Sequence, residues 1–212
     1  MRPLHVLLVR HGQTDANFNG VLQGHSPTPL NALGRAQAKQ VARRLNKWES
    51  EIDVLVSSDL GRAAETAQAI SEALRKPIHF DARWRELSFG ELEGRAVGEK
   101  EIWRNAGGEV EAPGGEKAVD FQARIVDAIN SLRDEFPQAN TICVVTHGGP
   151  CRLVPRLLNA GVLPRAIDQV DLNVPSIINC SIMHLVHDND GWRVMCVNEA
   201  RHLDMSTAKD EW

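Results

Sequence analysis

The sequence predicts an α/β fold, a three-layer α/β/α sandwich around a mixed, mostly parallel sheet. Two runs of apolar, β-branched residues, 5–9 and 141–145, indicate strands buried on both faces, and a shorter run at 52–56 indicates a third. Each run is followed by small or polar residues and then by apolar residues at helical spacing. Strands and helices that alternate in this way form a parallel sheet with helices on both faces.

Two helices are predicted in the first half of the chain. One begins after Asn31, whose side chain is a favourable N-cap, and extends through Lys47. The other carries an apolar face between residues 63 and 70, and either Ser58 or Asp59 is expected to cap it.

Two further helices are predicted in the second half. Residues 116–134 show the clearest helical period of the chain. Pro150 suits the first turn of a helix that extends to Leu158, and Pro155 is expected to kink that helix.

The chain is predicted to form one domain, residues 1–212, that ends in a β-hairpin. The segments 176–186 and 192–197 flank Asp-Asn-Asp-Gly at 188–191, which is a typical hairpin turn. The segment at about 90–115, rich in glycine and charge, is predicted to be a small cap or lid inserted into the domain.

Composition excludes several classes of partner. The formal net charge of −4 provides no general field for nucleic acid or an anionic membrane. No apolar run approaches the roughly 20 residues of a membrane span, so a cytoplasmic location is expected. The four cysteines lack metal-binding spacing and are expected to be buried, reduced thiols: Cys143, Cys151, Cys180 and Cys196.

Cationic and nucleophilic residues follow the ends of three predicted strands. Arg10 and His11 follow the first, Arg62 comes shortly after the second, and His147 follows the third. Ligands of open α/β sheets bind beyond the carboxyl ends of the strands, where helix N-termini also point. We therefore expect two arginines and two histidines to converge on one site that suits a phosphate dianion.

These residue types fit phosphoryl transfer. Arginine forks bind two phosphate oxygens at once and stay protonated. A neutral imidazole is a competent nucleophile, and a second histidine, if protonated, adds positive charge to the site. The departing alkoxide needs a proton, for which Glu86 is the best candidate donor, with Glu91 and Glu93 as rivals. A solvated loop carboxylate is the alternative interpretation of Glu86.

A series of short motifs occurs in order along nearly the whole chain. An isolated Arg-His-Gly triplet is weak evidence, but several ordered motifs together are strong evidence. The motifs are Arg10-His11-Gly12-Gln13-Thr14 with Asn17 and Gln23-Gly24, Pro29-Leu30 with Leu33-Gly34, Ser57-Ser58-Asp59-Leu60 with Arg62-Ala63 and Thr66-Ala67, Glu86-Leu87 with Gly90 and Glu93-Gly94, Pro113-Gly114-Gly115-Glu116, Thr146-His147-Gly148-Gly149, and Asn198 with His202-Leu203.

Together these motifs resemble the histidine phosphatase superfamily, branch 1, which has a phosphoglycerate mutase-like fold and includes mutases and many small phosphatases. The resemblance implies that His11 becomes the phosphohistidine and that Glu86 is the proton donor. It implies that Arg10, Arg62 and His147 complete the phosphate pocket. The further phosphate-binding residues that it implies are Asn17, Gln23, Gly24 and Gly148.

Three positions depart from the family pattern. Gln13 stands where glutamate is frequent, Ala16 replaces a common aromatic residue, and Leu92 replaces the usual tryptophan. None belongs to the implied phosphate pocket, but Ala16 and Leu92 are expected to reshape the substrate side.

The predicted function is a phosphatase that hydrolyses small-molecule phosphomonoesters without a metal or cofactor. The alternative is a phosphoglycerate mutase, but mutases of the family carry a longer insertion between the acid and the second histidine. Here 61 positions (147 − 86) separate Glu86 from His147, and the chain contains no tyrosine. A non-catalytic phospho-ligand binding module is the alternative of another class. The sequence leaves the substrate and a homodimeric state open.

Overall fold

The computed structural model describes residues 2–48, 51–103, 110–165 and 176–204. Within these residues, six strands form one sheet in the order β3-β2-β4-β1-β5-β6. The strands are β1 (Leu4–Arg10), β2 (Val54–Ser57), β3 (Ile78–Phe80), β4 (Thr141–Thr146), β5 (Ile182–Asp188) and β6 (Gly191–Glu199). The first four pair in parallel, and β5 pairs antiparallel with both β1 and β6, which confirms the predicted mixed, mostly parallel sheet.

The central strands β1 and β4 divide the core into two layers. Alternate side chains of a strand point to opposite faces, so Leu8 and Val144 pack on one side and Leu7 and Cys143 on the other. All four are fully buried. Strands covered on both faces read as continuous apolar runs, which is why the sequence predicted these two so clearly.

Five α-helices are described, and four of them cover the two faces of the sheet. The face of Leu8 carries α4 and α5, and the face of Leu7 carries α2 and α3. The helices are α1 (Asp15–Phe18), α2 (Ala32–Leu45), α3 (Gly61–Leu74), α4 (Ala118–Glu135) and α5 (Gly148–Asn159).

The predicted helix starts are correct for α2 and α5 and wrong for α3. Asn31 caps α2 by accepting a 2.8 Å hydrogen bond from the Gly34 amide. The N-cap of α3 is Leu60, with no side-chain cap. Neither predicted residue caps α3, because Ser58 accepts only from the Leu60 amide, before the helix begins, and Asp59 pairs with Arg85.

The last hairpin is confirmed, but its first strand is shorter than predicted. β5 begins at Ile182, and residues 176–181 form no strand. The cause is a turn in which Cys180 has a left-handed φ of 59°, while its amide donates to the Arg10 carbonyl at 2.9 Å. The sequence analysis also missed the three-residue edge strand β3 and the one-turn helix α1.

The described part of the predicted cap is hydrogen-bonded to residues 20–22, in the loop after α1. The Leu22 amide donates to the Arg95 carbonyl, and the amides of Gly94 and Val97 donate to the carbonyls of Leu22 and Gly20, each at 2.8 Å. Residues 104–109 lie outside the described residues, so the cap at about 90–115 stays a prediction.

Three of the four cysteines are buried as predicted, and Cys196 is not fully buried. Cys143, Cys151 and Cys180 are buried free thiols, and Cys196 is half-buried. Burial raises the pKa of Cys143 and Cys151 to about 12, so both thiols stay protonated at neutral pH. Among the described helices, none has the length and apolar character needed to cross a bilayer.

Close backbone contact between α2 and the loop after β1 predicts contrasting effects of two glycine substitutions. A Cβ on Gly34 would lie 2.0 Å from the Gln13 carbonyl oxygen, whereas a Cβ on Gly61 would meet nothing within 4 Å. We expect Gly34→Ala to lower the free energy of unfolding by about 1–3 kcal/mol. Gly61→Ala, the matched control in the first turn of α3, is expected to leave it unchanged or raise it by less than about 1 kcal/mol. Urea denaturation measures both, and equal midpoints for the two variants would contradict the contact.

Candidate active site

The register of β1 and β4 places two histidines side by side at the carboxyl edge of the sheet. Arg10 pairs with Thr146 in that register, and His11 and His147 are the next residues of the two strands. The His11 amide donates to the Thr146 carbonyl at 2.9 Å, and the two imidazole rings are 5.1 Å apart between centroids. The sequence predicted this convergence from the ends of the strands.

The hydrogen bonds of His11 fix which ring nitrogen carries the proton. Its Nδ1 lies 2.7 Å from the Gly12 carbonyl oxygen, which can only accept, so Nδ1 is the protonated nitrogen. Nε2 lies 3.2 Å from Arg62 Nε, which can only donate, so Nε2 carries the free electron pair. This tautomer leaves Nε2 as the nucleophilic atom of the ring.

His11 is held in its neutral form. Burial lowers its pKa well below 6.5, and the charges of Arg62 and Arg10 lower it further, against a smaller opposite effect of the Gly12 hydrogen bond. The ring therefore keeps its free electron pair at neutral pH without a neighbouring general base.

His147 is also neutral, which decides a point that the sequence left open. Burial lowers its pKa well below 6.5, and the charge of Arg62 adds to the effect. Its Nε2 lies 2.8 Å from the Ser58 hydroxyl. Its Nδ1 is buried and has no hydrogen-bond partner among the described residues. The Ser58 hydroxyl can donate to Nε2, and in that tautomer the ring proton lies on Nδ1.

Arg62 is a buried structural part of the site. Only 1% of its surface is exposed, and besides His11 its guanidinium donates to the Gly24 carbonyl at 2.8 Å and the Ser26 carbonyl at 3.3 Å. Burial lowers its pKa to about 10, opposed by the carboxylates of Glu86 and Glu93, so it stays charged at neutral pH. Arg62 is therefore not a surface arginine.

Arg10 lies at the end of β1 and is 8% exposed. Its guanidinium donates to the Ile177 carbonyl, which holds the side chain against the loop before β5. Arg10 is therefore not a surface residue either.

Glu86 is held by two backbone amides. Its Oε1 accepts from the Leu87 amide and its Oε2 from the Gly149 amide, both at 2.9 Å, and the second donor lies in the first turn of α5. A Cβ on Gly149 would lie 1.8 Å from Oε1, so only glycine admits the carboxyl group at this position. The helix N-terminus therefore orients a half-buried carboxyl group, which is not a freely solvated loop side chain.

The rival carboxyl groups have other surroundings. Glu93 accepts hydrogen bonds from the His25 amide at 2.9 Å and the Ser26 hydroxyl at 2.7 Å, and these contacts hold its loop together. These bonds outweigh burial and lower its pKa below the usual value. Glu91 is exposed and does not line the cavity described below.

Asn17 and Gln23 use their side-chain oxygens to build the loop after His11. Asn17 Oδ1 lies 3.2 Å from the Thr14 amide and 3.3 Å from Asn179 Nδ2. Gln23 Oε1 accepts from the hydroxyls of Thr14 at 2.9 Å and Thr28 at 2.7 Å. With the oxygens engaged, the amide NH₂ groups are the ends that suit an anionic ligand.

A cavity of about 100 Å³, called here the histidine cavity, collects these groups. His147 is fully buried behind it, next to His11. The predicted site residues in its wall are Arg10, His11, Asn17, Gln23, Gly24, Arg62, Glu86 and Gly148. The structure thus brings together all the side chains that the sequence grouped.

The sequence analysis missed three residues of the site. Arg152 lines the histidine cavity, and it lies four positions after Gly148 on α5, so helical spacing could have revealed it. Asn179 donates to the His11 carbonyl at 2.9 Å, and Arg124 donates to the Glu86 carbonyl at 2.8 Å. Neither of the last two carries a motif that could be recognised in a single sequence.

The chemistry of this arrangement is that of an anion site with a nucleophile and an acid. Two fixed guanidinium groups and the N-terminus of α5 face a neutral imidazole whose Nε2 carries its electron pair. A carboxyl group stands in the same wall. Among the described residues, no group of three or more histidine, cysteine, aspartate or glutamate side chains is arranged to hold a metal ion.

Comparison with known proteins places these features in a family. The sequence matches the model of the histidine phosphatase superfamily (branch 1) over residues 6–200. The probable phosphoglycerate mutase GpmB of Escherichia coli O1:K1 / APEC is 36% identical over 228 residues, which cover 98% of each chain.

Solved structures show the same fold. A mycobacterial glucosyl-3-phosphoglycerate phosphatase complexed with VO₃ matches with a TM-score of 0.76 and 28% identity, covering 94% of this chain and 100% of that one. Bacillus stearothermophilus YhfR matches with a TM-score of 0.79 and 26% identity, covering 94% and 98%. The family match extends over nearly the whole described fold, and the chain belongs to branch 1 of the histidine phosphatase superfamily.

Proposed function

We propose that the protein is a metal-independent phosphatase that hydrolyses small-molecule phosphomonoesters through a phosphohistidine on His11. The observation that carries this proposal is the state of His11, a buried neutral imidazole that lines the histidine cavity and whose Nε2 accepts a hydrogen bond from Arg62. An imidazole in this state can attack phosphorus directly.

The reaction has two steps. His11 Nε2 attacks phosphorus, the bond from phosphorus to the ester oxygen breaks, and protonated Glu86 gives its proton to the departing alkoxide. Water then attacks the phosphohistidine, Glu86 takes a proton from that water, and the phosphorus–nitrogen bond breaks. Free phosphate leaves, and His11 and Glu86 return to their starting states.

Fixed positive charge replaces the metal ion in this mechanism. In the transition state negative charge spreads over the equatorial phosphate oxygens, and in this proposal Arg10, Arg62 and a ring N–H of His147 stabilise it. The further phosphate contacts in the proposal are the NH₂ groups of Asn17 and Gln23 and the backbone at Gly24 and Gly148. Hydrogen bonds within the fold hold most of these groups in place, and the bond from Arg62 Nε to His11 Nε2 is released when Nε2 attacks phosphorus.

Phosphoglycerate mutase is the second candidate, because relatives at 36% identity carry the name probable phosphoglycerate mutase. Against it stands the short spacing from Glu86 to His147. Incubation with 3-phosphoglycerate, with and without 2,3-bisphosphoglycerate, separates the two functions. A phosphatase releases inorganic phosphate, whereas a mutase forms 2-phosphoglycerate without net release.

Removal of the nucleophile should abolish turnover. His11→Ala is expected to fold but to lose roughly a thousandfold or more of kcat for 4-nitrophenyl phosphate, because it removes the covalent path. His79→Ala, which changes an exposed histidine outside the site, is the control and should keep wild-type turnover. Both assays contain a chelator. Near-normal turnover of His11→Ala, or loss of wild-type activity in chelator that magnesium or zinc restores, would contradict the mechanism.

The effect of removing the acid on the rate of hydrolysis should depend on the leaving group. Glu86→Gln is expected to slow hydrolysis of an alkyl phosphate by about a hundredfold or more, because an alkoxide must be protonated as it leaves. Hydrolysis of 4-nitrophenyl phosphate should slow far less, because nitrophenolate leaves without a proton. Glu91→Gln, the exposed rival acid, should leave both rates unchanged. The assignment of Glu86 fails if its substitution slows both esters equally.

The neutral state of His11 predicts a pH dependence of folding. Its folded pKa lies below the unfolded value of 6.5, so the unfolded chain binds the proton more readily. Its contribution to stability is full above pH 6.5 and is lost as the pH falls below that value. We expect the free energy of unfolding to fall more steeply for the wild type than for His11→Asn, by up to about 1.4 kcal/mol per pH unit between pH 6.5 and 5. Urea titrations at several pH values measure the difference, and parallel slopes would contradict the lowered pKa of His11.

A further inference from the structure

A second cavity of about 410 Å³ borders the histidine cavity. Glu86, Phe89 and Arg152 line both cavities, so the two share a wall. The carboxyl group that is proposed to protonate the leaving oxygen therefore stands where one cavity meets the other. A volume in this range is typical of sites that bind small organic molecules.

The second cavity is walled largely by apolar side chains. Phe121 comes from α4, Leu153 and Leu157 come from α5, and Val162 follows α5. Val162 is 46% exposed, which is unusual for a large apolar side chain in a concave site. Such walls favour an apolar ligand and offer few hydrogen bonds to a polyhydroxylated one.

Two unpaired arginines interrupt the apolar wall. Arg152 and Arg156 are one turn apart on α5, and neither side chain forms a hydrogen bond or ion pair among the described residues. By contrast, the nearby Arg83, Arg85 and Arg124 all pair with carboxylates. Two unpaired guanidinium groups on one helix face provide a site for an anion.

The charge of Arg152 extends the positive field of the histidine cavity. A Cβ built on Gly148 would lie 3.4 Å from Arg152 Nη1 and 3.5 Å from Arg10 Nε, so the two guanidinium groups flank the same point. Arg156 is exposed at the next turn of α5. Positive charge thus continues from the proposed phosphate position into the second cavity.

We propose that the second cavity, called here the leaving-group cavity, receives the alcohol part of the substrate and selects a phosphomonoester with an apolar, anionic leaving group. The phosphate lies against His11, the ester oxygen faces Glu86, and the apolar body contacts Phe121 and Leu153. The anionic group pairs with Arg156, and Arg152 spans the junction. This inference rests on the proposed phosphatase function and names the substrate class of that site.

Three primary alkyl esters test the selection without changing the chemistry of the leaving oxygen. They are glycerol 1-phosphate (polar and uncharged), hexyl phosphate (apolar and uncharged) and 6-(phosphonooxy)hexanoate (apolar and anionic). The expected order of kcat/KM is lowest for glycerol 1-phosphate, about tenfold or more higher for hexyl phosphate, and roughly five- to tenfold higher again for the carboxylated ester.

Two pairs of variants test whether residues of the second cavity determine the substrate preference. Arg156→Gln is expected to lower the ratio of kcat/KM for the carboxylated ester to that for hexyl phosphate about fivefold, mainly through KM, because this contact lies away from the reacting phosphorus. The control Arg43→Gln changes an exposed arginine of α2 and should leave the ratio unchanged. Val162→Asn should lower the preference for hexyl phosphate over glycerol 1-phosphate. The control Val119→Asn changes a 64% exposed valine outside the cavity and should leave that preference unchanged.

The outcomes separate this inference from the proposed function. Phosphate release from all three esters without preference, or a preference that the Arg156 and Val162 variants keep, would overturn the selection and leave the phosphatase intact. If phosphate is released neither from these three esters nor from 4-nitrophenyl phosphate, both proposals are overturned. A preference that the two cavity variants weaken and the two controls retain supports the leaving-group cavity.

Discussion

The parallel pairing of β1 with β4 is the constraint from which the rest of the site follows. It aligns Arg10 with Thr146, so the next residue of each strand enters the same space beyond the sheet edge. A slip of the register by one residue would turn every side chain of a strand to the other face. The apolar residues of both strands are buried on both sides, so the core itself fixes the register that brings His11 and His147 together.

The site contains charged side chains that are buried or half-buried. Hydrogen bonds to backbone carbonyls and amides stabilise them. Arg62 is almost fully buried but donates to carbonyls of the loop that follows His11. Glu86 accepts hydrogen bonds from two backbone amides. Buried charges without such partners would be very unfavourable. The same guanidinium charges lower the pKa of both histidines, so the groups that suit a phosphate dianion also keep both imidazoles neutral.

Members of one superfamily can share this phosphate site and differ in the alcohol that they accept. The relatives bear names of mutases and of phosphatases, so the conserved fold alone does not assign a substrate. In this chain the surroundings of Glu86 are largely apolar and carry the guanidinium groups of Arg152 and Arg156. We therefore look for specificity in the residues of α4 and α5 that line this cavity and in Val162.

The sequence by itself determined the fold class, the two central strands and the identities of the groups that meet at their ends. It could do so because a strand buried on both faces must be apolar throughout, and because the ends of parallel strands share one edge. The order of motifs also identified Glu86, whose role no periodicity could reveal. Local signals were less reliable where a turn was decided by distant contacts, as at the start of α3 and at Cys180, whose amide bonds to Arg10.

Only the tertiary structure decided the states and boundaries of the site. The tautomer of His11 depends on Gly12 and Arg62, and the neutral state of His147 depends on its burial among arginines far away in the sequence. The leaving-group cavity likewise exists only because α4 and α5 meet beside Glu86. Proton affinity and cavity shape are sums over neighbours in space, and a single sequence specifies those neighbours only once it has folded.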